Sequence, residues 1–470
     1  MLLLSIAPSM WSPTKILPVI FLLFTLTSCK KLTAEKDEEL SGGKEGTVFL
    51  KSVDAFGQPF PGLDHNEIRK FQIGNSLNRN NWVAAPASAS ARDGLGPLFN
   101  ASACAACHAR DGRGLPFNSA GQPTQTLLFR LSVLSHDGQP IPEPVYGGQL
   151  QHQSVAGAIP EGNIKIAYTE EPGKYPDGTP YSLRKPTYSV ENHGYGAMHP
   201  GTMISPRLAP HMAGIGLLDA VSEATILEAA DPDDRDDDGV SGRANYVWNV
   251  RLQKKQIGKF GWKANEPTAE QQVAGAFVND IGITSGIFPN EALSPGQSTR
   301  YSHLPSGGTP EIDAEGLANV VFYVKTLAIP ARRDWQREEV LKGKMLFNQT
   351  GCTSCHLPVL KTAPDAEPHY LAAQIIRPYT DLLLHDMGPG LADNRPDGLA
   401  TGTEWRTAPL WGIGLQKTVN KHTFFLHDGR ARNLEEAILW HGGEAEKAKR
   451  GFMELSGQDR EYLIRFIESL

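Results

Sequence analysis

Apolar and polar residues alternate along this chain in a few patterns that predict its elements. Residues 16–26 are mostly apolar and follow Lys15; the run is too short for a membrane span and has the length of a signal-peptide core. Residues 30–46 are polar and charged with interspersed glycine, which predicts a tether ahead of a folded body. Between residues 335 and 347, Val340, Leu341, Met345 and Leu346 recur at helical spacing and lead into Gly351. Ser456, with Asp459 three residues on, predicts the start of a last helix. Tyr462, Leu463, Phe466, Ile467 and Leu470 share one of its faces, and it is expected to pack across the earlier helix. A third helix is predicted after Asn433, with Glu435 and Glu436 in its first turn and a stop near Gly442 and Gly443. Leu434, Ile438 and His441 then fall on one face.

The chemistry sits in two short segments. Cys104-Ala105-Ala106-Cys107-His108 and Cys352-Thr353-Ser354-Cys355-His356 are copies of C-x-x-C-H, the spacing at which a chain attaches haem c. The thiols add across the vinyl groups, and the adjacent histidine is placed to ligate the iron from the proximal side. Five cysteines and 14 histidines in 470 residues give about 0.002 chance copies of the motif, so two copies are no accident. Zinc knuckles lie closer together and leave the two histidines without a role. A redox dithiol would follow a strand, whereas both motifs follow loop sequence containing Gly or Asn. Two haems c are therefore expected, with His108 and His356 as proximal ligands.

The remaining cysteine closes the sequence Leu26-Thr27-Ser28-Cys29, which resembles a bacterial lipobox and implies a lipidated Cys29, an uncleaved anchor being the alternative. Acyl chains contribute about 0.8 kcal/mol per buried methylene. The expected location is the bacterial cell envelope, lipid-anchored and facing the periplasm or the surface. A net charge of -7 makes nucleic acid an unsuitable partner. With 34 prolines and 47 glycines, the expected fold is mainly α and loop-rich, with two cytochrome c-like domains. The motifs lie about 250 residues apart, so the N-terminal unit must carry a large insertion. The expected layout is a signal peptide over residues 1–28, a tether over 29–47, an N-terminal haem domain over 48–330 and a compact C-terminal domain over 331–470. A weak internal repeat, LGPLFNASACAACH against KGKMLFNQTGCTSCH, supports two related modules.

Longer motifs carry a resemblance over nearly the whole mature chain: GLGPLFN from Gly94, YGGQLQ from Tyr146, SPRLAPHMAGIGLLDA from Ser205, FGWKAN from Phe260, YTDLLLHDMGPGLAD from Tyr379, EWRTAPLWGIG from Glu404 and FLHDGRARNLEEAILWHGGEAE from Phe425. These resemble the di-haem oxidoreductases, relatives of bacterial di-haem cytochrome c peroxidases and of the di-haem enzyme of methylamine utilisation. The resemblance implies that the helix after Asn433 supplies the distal ligand of the second haem, which places His441 there; Met387 is the alternative. It also offers His193, in His193-Gly194-Tyr195, as a distal candidate at the first haem, against the ordinary reading of a hydrogen-bonded histidine. Trp262 is either an electron relay between the haems or a core tryptophan. Gln149, Glu161 and Arg207 are polar candidates for moving a peroxide proton.

Asp234, Asp236 and Asp238, followed by Gly239, fit D-x-D-x-D-G and so a calcium loop. Asn245 stands at its twelfth position in place of glutamate, so a solvated acidic loop is the competing reading. Two functions follow. One is a peroxidase-type oxidoreductase that takes electrons from a small cytochrome or cupredoxin and passes them to a reactive haem. The other is an electron-transfer lipoprotein with two six-coordinate haems. A thiol oxidoreductase is excluded, because the late cysteines are committed to haem.

Overall fold

The computed structural model describes residues 32–470; the signal segment and Cys29 lie outside the described residues. Helices make up 28% and strands 19%, and the strands form seven small sheets among the described residues. The expectation of a mainly α fold is thereby corrected. The strands come chiefly from the segment between the two motifs. There Leu127, Phe129, Leu131 and Val133 alternate inward along β1 (Leu127–Leu134), the two-residue period of a half-buried strand. A long hairpin follows, formed by β2 (Asn163–Lys174) and β3 (Pro180–Glu191) paired along their whole length. Then β4 (Met203–Leu208) returns beside β1, with Leu127 opposite Leu208.

Each motif is reached from a helix that a later helix crosses. Before the first, α1 (His65–Arg79) starts at a capping box of Asp64 and Glu67 and is crossed by α2 (Ala314–Lys325). At Gly74 the two backbones are so close that a Cβ would lie 2.1 Å from the Asn319 carbonyl oxygen. Before the second, α3 (Glu338–Gln349) is crossed by α5 (Gly457–Ser469). Here Gly343 serves the same end, its absent Cβ 2.0 Å from the Tyr462 carbonyl oxygen. The expected packing of the last helix across the earlier one is thus present. Between them lies α4 (Leu434–Leu439), capped as expected by Asn433, whose side chain accepts from the Glu436 amide.

The expected tether is packed onto the body from Glu38 onward. Glu38 and Arg332 form a buried ion pair, and Thr47–Val48 pairs in parallel with Ile329–Pro330. Two large cores cross residue 330. One joins Phe56, Phe60 and Leu217 to Leu371, Leu383 and Trp411. In the other, Tyr175 is buried among Phe347, Phe452 and Phe466, with Trp262 packed alongside.

Candidate functional site

Both motif histidines are held in the same way. His108 donates from Nδ1 to the Pro210 carbonyl at 2.7 Å, and His356 from Nδ1 to the Tyr379 carbonyl at 2.9 Å. A carbonyl oxygen only accepts, so the proton sits on Nδ1 and the Nε2 lone pair is free for a metal. Burial lowers the pKa of His108 and takes that of His356 down to about 4, which keeps the rings in the neutral, ligating form. Local geometry presents the cysteines. After α3 the chain turns at Gly351, with φ of +84°, and enters a single 3-10 turn at Cys352–Ser354. Cys104–Cys107 forms one helical turn before His108. All four thiols are unpaired, and burial pushes Cys104 up to about 12 and Cys352 up to about 11.

A cavity of about 1000 Å³ opens beside the second motif, lined by Cys352, Cys355, His356, Met387, Trp262 and His441. This is the upper end of the range for small-molecule and cofactor sites, roughly 300–1,000 Å³. His441 follows the end of α4 and donates from Nδ1 to the Ala437 carbonyl at 2.7 Å, so its Nε2 is also free. Burial lowers its pKa. One cavity therefore holds two thiols and, in His356 and His441, two neutral imidazoles anchored through Nδ1 with Nε2 open, a donor set that fits a covalently held haem; His211 and His427, both lowered to about 4 by burial, line it too. Met387 lines it as well. Trp262 donates from its indole nitrogen to the Leu208 carbonyl at 2.8 Å, and Arg113 lies over its ring at 5.2 Å.

Near the first motif stands a polar network, while Cys104 itself packs against the apolar core of Phe71, Trp82 and Met212 and Cys107 beside Ala101 and Ala209. Gln149 donates to Asn100 at 2.7 Å and to Asp280 at 2.8 Å, and accepts from Arg130 at 3.0 Å. The Asp280 carboxylate acts electrostatically on both Cys104 and Cys107. Burial pushes Asp280 up to about 6 and Glu266, which accepts from Gln271, up to about 7. Glu161 is fully buried, bonded to the Gln151 amide and to Gln297, and pushed up to about 8 by burial. Arg207 is instead paired with Asp397 at 2.9 Å.

Other expectations fare differently. His193 is exposed beside the Tyr146 ring, and no hydrogen bond or ring contact links it to Cys104, Cys107 or His108. The carboxylates of Asp234, Asp236 and Asp238 do converge, within 4.8 Å of one another. Asn245 is drawn away from that loop, buried and donating to the Lys263 and Asp397 carbonyls.

Sequence reasoning missed His385. Its ring is held between Asp381 at 2.8 Å and Glu444 at 2.6 Å, with the Cys355 sulfur 3.4 Å away. These partners raise its pKa well above the ordinary value against the pull of burial, so it is an imidazolium beside the second motif. With both nitrogens engaged it offers no lone pair to a metal. Asp381 and His385 share one quoted motif at i,i+4, which was the available signal; Glu444 lies in another.

Neutral histidines anchored through Nδ1, set beside paired thiols, are the equipment of a haem-binding redox protein. Comparison with protein families agrees: the family described as "Di-haem oxidoreductase, putative peroxidase" matches residues 36–470, and the chain belongs to it. No curated protein matches the chain.

Proposed function

We propose that the protein is a di-haem c oxidoreductase of peroxidase type, held in the bacterial envelope by lipid on Cys29. Cys104 and Cys107 would carry the first haem with His108 as proximal ligand. Cys352 and Cys355 would carry the second, between His356 and His441. Bound haem would supply iron that changes oxidation state, taking electrons from a small donor protein at one centre and meeting peroxide at the other.

The observation that carries this reading is an asymmetry. The second site has a second anchored histidine lining its cavity, whereas the first has the Asp280 carboxylate near both its cysteines, tied through Gln149 to Asn100 and Arg130. Splitting a peroxide needs protons as well as electrons. Asp280, raised toward neutrality by burial, can hold and release a proton there. Trp262, on the wall of the cavity beside the second motif and held between the Leu208 carbonyl and Arg113, suits a relay. A calcium ion at Asp234, Asp236 and Asp238 belongs to the same proposal; a chelator would then lower thermal stability, and calcium would restore it.

Electron paramagnetic resonance of the oxidised holoprotein tests the assignment. One high-spin and one low-spin iron are expected, with rapid reoxidation by peroxide after one-electron reduction. Two low-spin irons with no reaction in any redox state would favour the second reading, a pure electron carrier, which the bis-histidine arrangement at His441 suits. Intact mass should exceed the processed chain by two haems and acyl groups, and Cys29→Ala should yield protein free of membrane.

A further inference from the structure

Buried cations in this protein come with carboxylates. Lys263 pairs with Asp393 at 2.8 Å, Arg430 with Asp428 at 2.7 Å, and Arg332 with Glu38. Arg333 instead donates to the carbonyls of Glu468 and Leu470 at the negative end of α5. Arg113 and Arg406, both half-buried, have no carboxylate of their own. Arg113 donates to the Leu426 carbonyl, and its Nε has no partner. Arg406 donates from Nε to the Gly261 carbonyl at 2.9 Å and from Nη1 to the Thr407 carbonyl at 3.2 Å. The carboxylates that act on them are already engaged, Asp428 by Arg430 and Tyr188, and Asp381 by His385. Burial pulls both guanidinium groups down to about 10, which still leaves them charged at neutral pH.

Both line the large cavity, and both touch the same short segment. Arg113 covers the Trp262 ring at 5.2 Å, while the Arg406 amide donates to the Trp262 carbonyl at 2.9 Å. Two half-buried cations on the wall of one cavity, neither with a carboxylate of its own, are costly unless the occupant brings anions. The planar fork of arginine matches a carboxylate.

We propose that Arg113 and Arg406 form an anion clamp flanking Trp262, whose ligands are the propionate carboxylates of the haem in this cavity. The inference rests on the di-haem reading and adds to it. Haem leaves its propionates on the edge opposite the vinyl groups, so an occupant fixed through Cys352 and Cys355 presents carboxylates away from those thiols. Clamped there, the arginines favour the reduced iron, which carries one positive charge fewer, and they tie the second haem to the Trp262 segment.

The test is a spectroelectrochemical titration of the full-length holoprotein beside Arg113→Gln and Arg406→Gln. Each variant should shift one haem toward the oxidised form by roughly tenfold at fixed potential, about 59 mV for a one-electron couple, and leave the other haem within twofold. Arg113→Lys and Arg406→Lys, which keep the charge and serve if the glutamine variants fail to mature, should shift it less and change the propionate bending band in resonance Raman spectra. Variants that carry two haems by mass yet keep parental potentials and Raman bands would overturn the clamp. So would a saturable response of the parent to added acetate that the variants lack, which would assign the site to a free carboxylate. A parent without covalent haem would instead sink the cofactor reading on which the clamp depends.

Discussion

What holds Nδ1 decides what each histidine can do. At His108, His356 and His441 Nδ1–H donates to a backbone carbonyl, which leaves the Nε2 lone pair of a neutral ring free for a metal. At His385 two carboxylates hold both nitrogens and the ring is a cation. Replacing His441 with Ala should therefore convert one low-spin haem to high-spin without affecting the other, whereas Met387→Ala should leave both unchanged. The reverse outcome, read by electron paramagnetic resonance, would assign the distal position to Met387. A buried carboxyl gives a pH prediction. Glu266 is raised to about 7, mainly by burial, against roughly 4.3 in an unfolded chain. The folded state thus keeps a proton that the unfolded state releases, and its stabilising effect, full below the unfolded value, is lost as pH rises through about 7. Glu266→Gln should flatten the fall in urea midpoint between pH 5 and 8, since the amide oxygen can still accept from Gln271. The cysteine motifs were legible because their spacing is local; periodicity put His441 on a face with Leu434 and Ile438, and only the resemblance pointed it at a haem. His385 was not, since its carboxylate Glu444 lies 59 residues away.

The hairpin of β2 and β3 belongs to the segment between the motifs but ends on the C-terminal part of the chain. Tyr175 at its tip bonds Glu435 of α4 at 2.5 Å. Asp177 pairs with Arg460 of α5 at 2.7 Å, and that guanidinium lies 3.9 Å from the Tyr175 ring centroid. Along the arms, Tyr188 bonds Asp428 at 2.6 Å, and Arg184 donates to the Arg430 carbonyl at 2.9 Å. The hairpin therefore braces the helix that precedes His441. Tyr175→Ala should cost about 3–5 kcal/mol, as for other buried aromatics, and on heating the low-spin signal assigned to His441 should fail before the protein unfolds globally. Melting followed at the haem absorption band and by far-ultraviolet circular dichroism would check this, and coincident, unshifted transitions would refute it. The alternation of Ile164, Ile166 and Tyr168, and of Tyr188 and Val190, was available in the sequence. A mainly α, loop-rich reading leaves it out, because 34 prolines and 47 glycines weigh toward loops.

At the scale of the molecule, the two halves are built through one another. Tyr175 and Trp262 come from before residue 330 yet sit in the core that carries Phe347 and Phe466, and Phe56 meets Trp411 in the other. The N-terminal strand at Thr47–Val48 pairs beside Arg332, whose side chain reaches Glu38 and Ser469. Patterning located α3, α4 and α5 around the second motif, where α3 and α5 pack on the same side of residue 330; α1 and α2 around the first were not among its predictions. It could not show these shared cores, because no local period marks a side chain destined for another segment's core. The consequence is testable. Residues 331–470 expressed alone would leave the Tyr175 socket and the Trp262 face open, removing contacts that elsewhere cost several kcal/mol per buried aromatic, against a typical total stability of about 5–15 kcal/mol. The fragment should fail to give a protease-resistant, haem-loaded product under conditions where the full chain matures. Supplying residues 1–330 in the same cell should rescue it. A stable, low-spin fragment obtained alone would show instead that the second haem unit is an independent domain and that the shared cores are incidental to its folding.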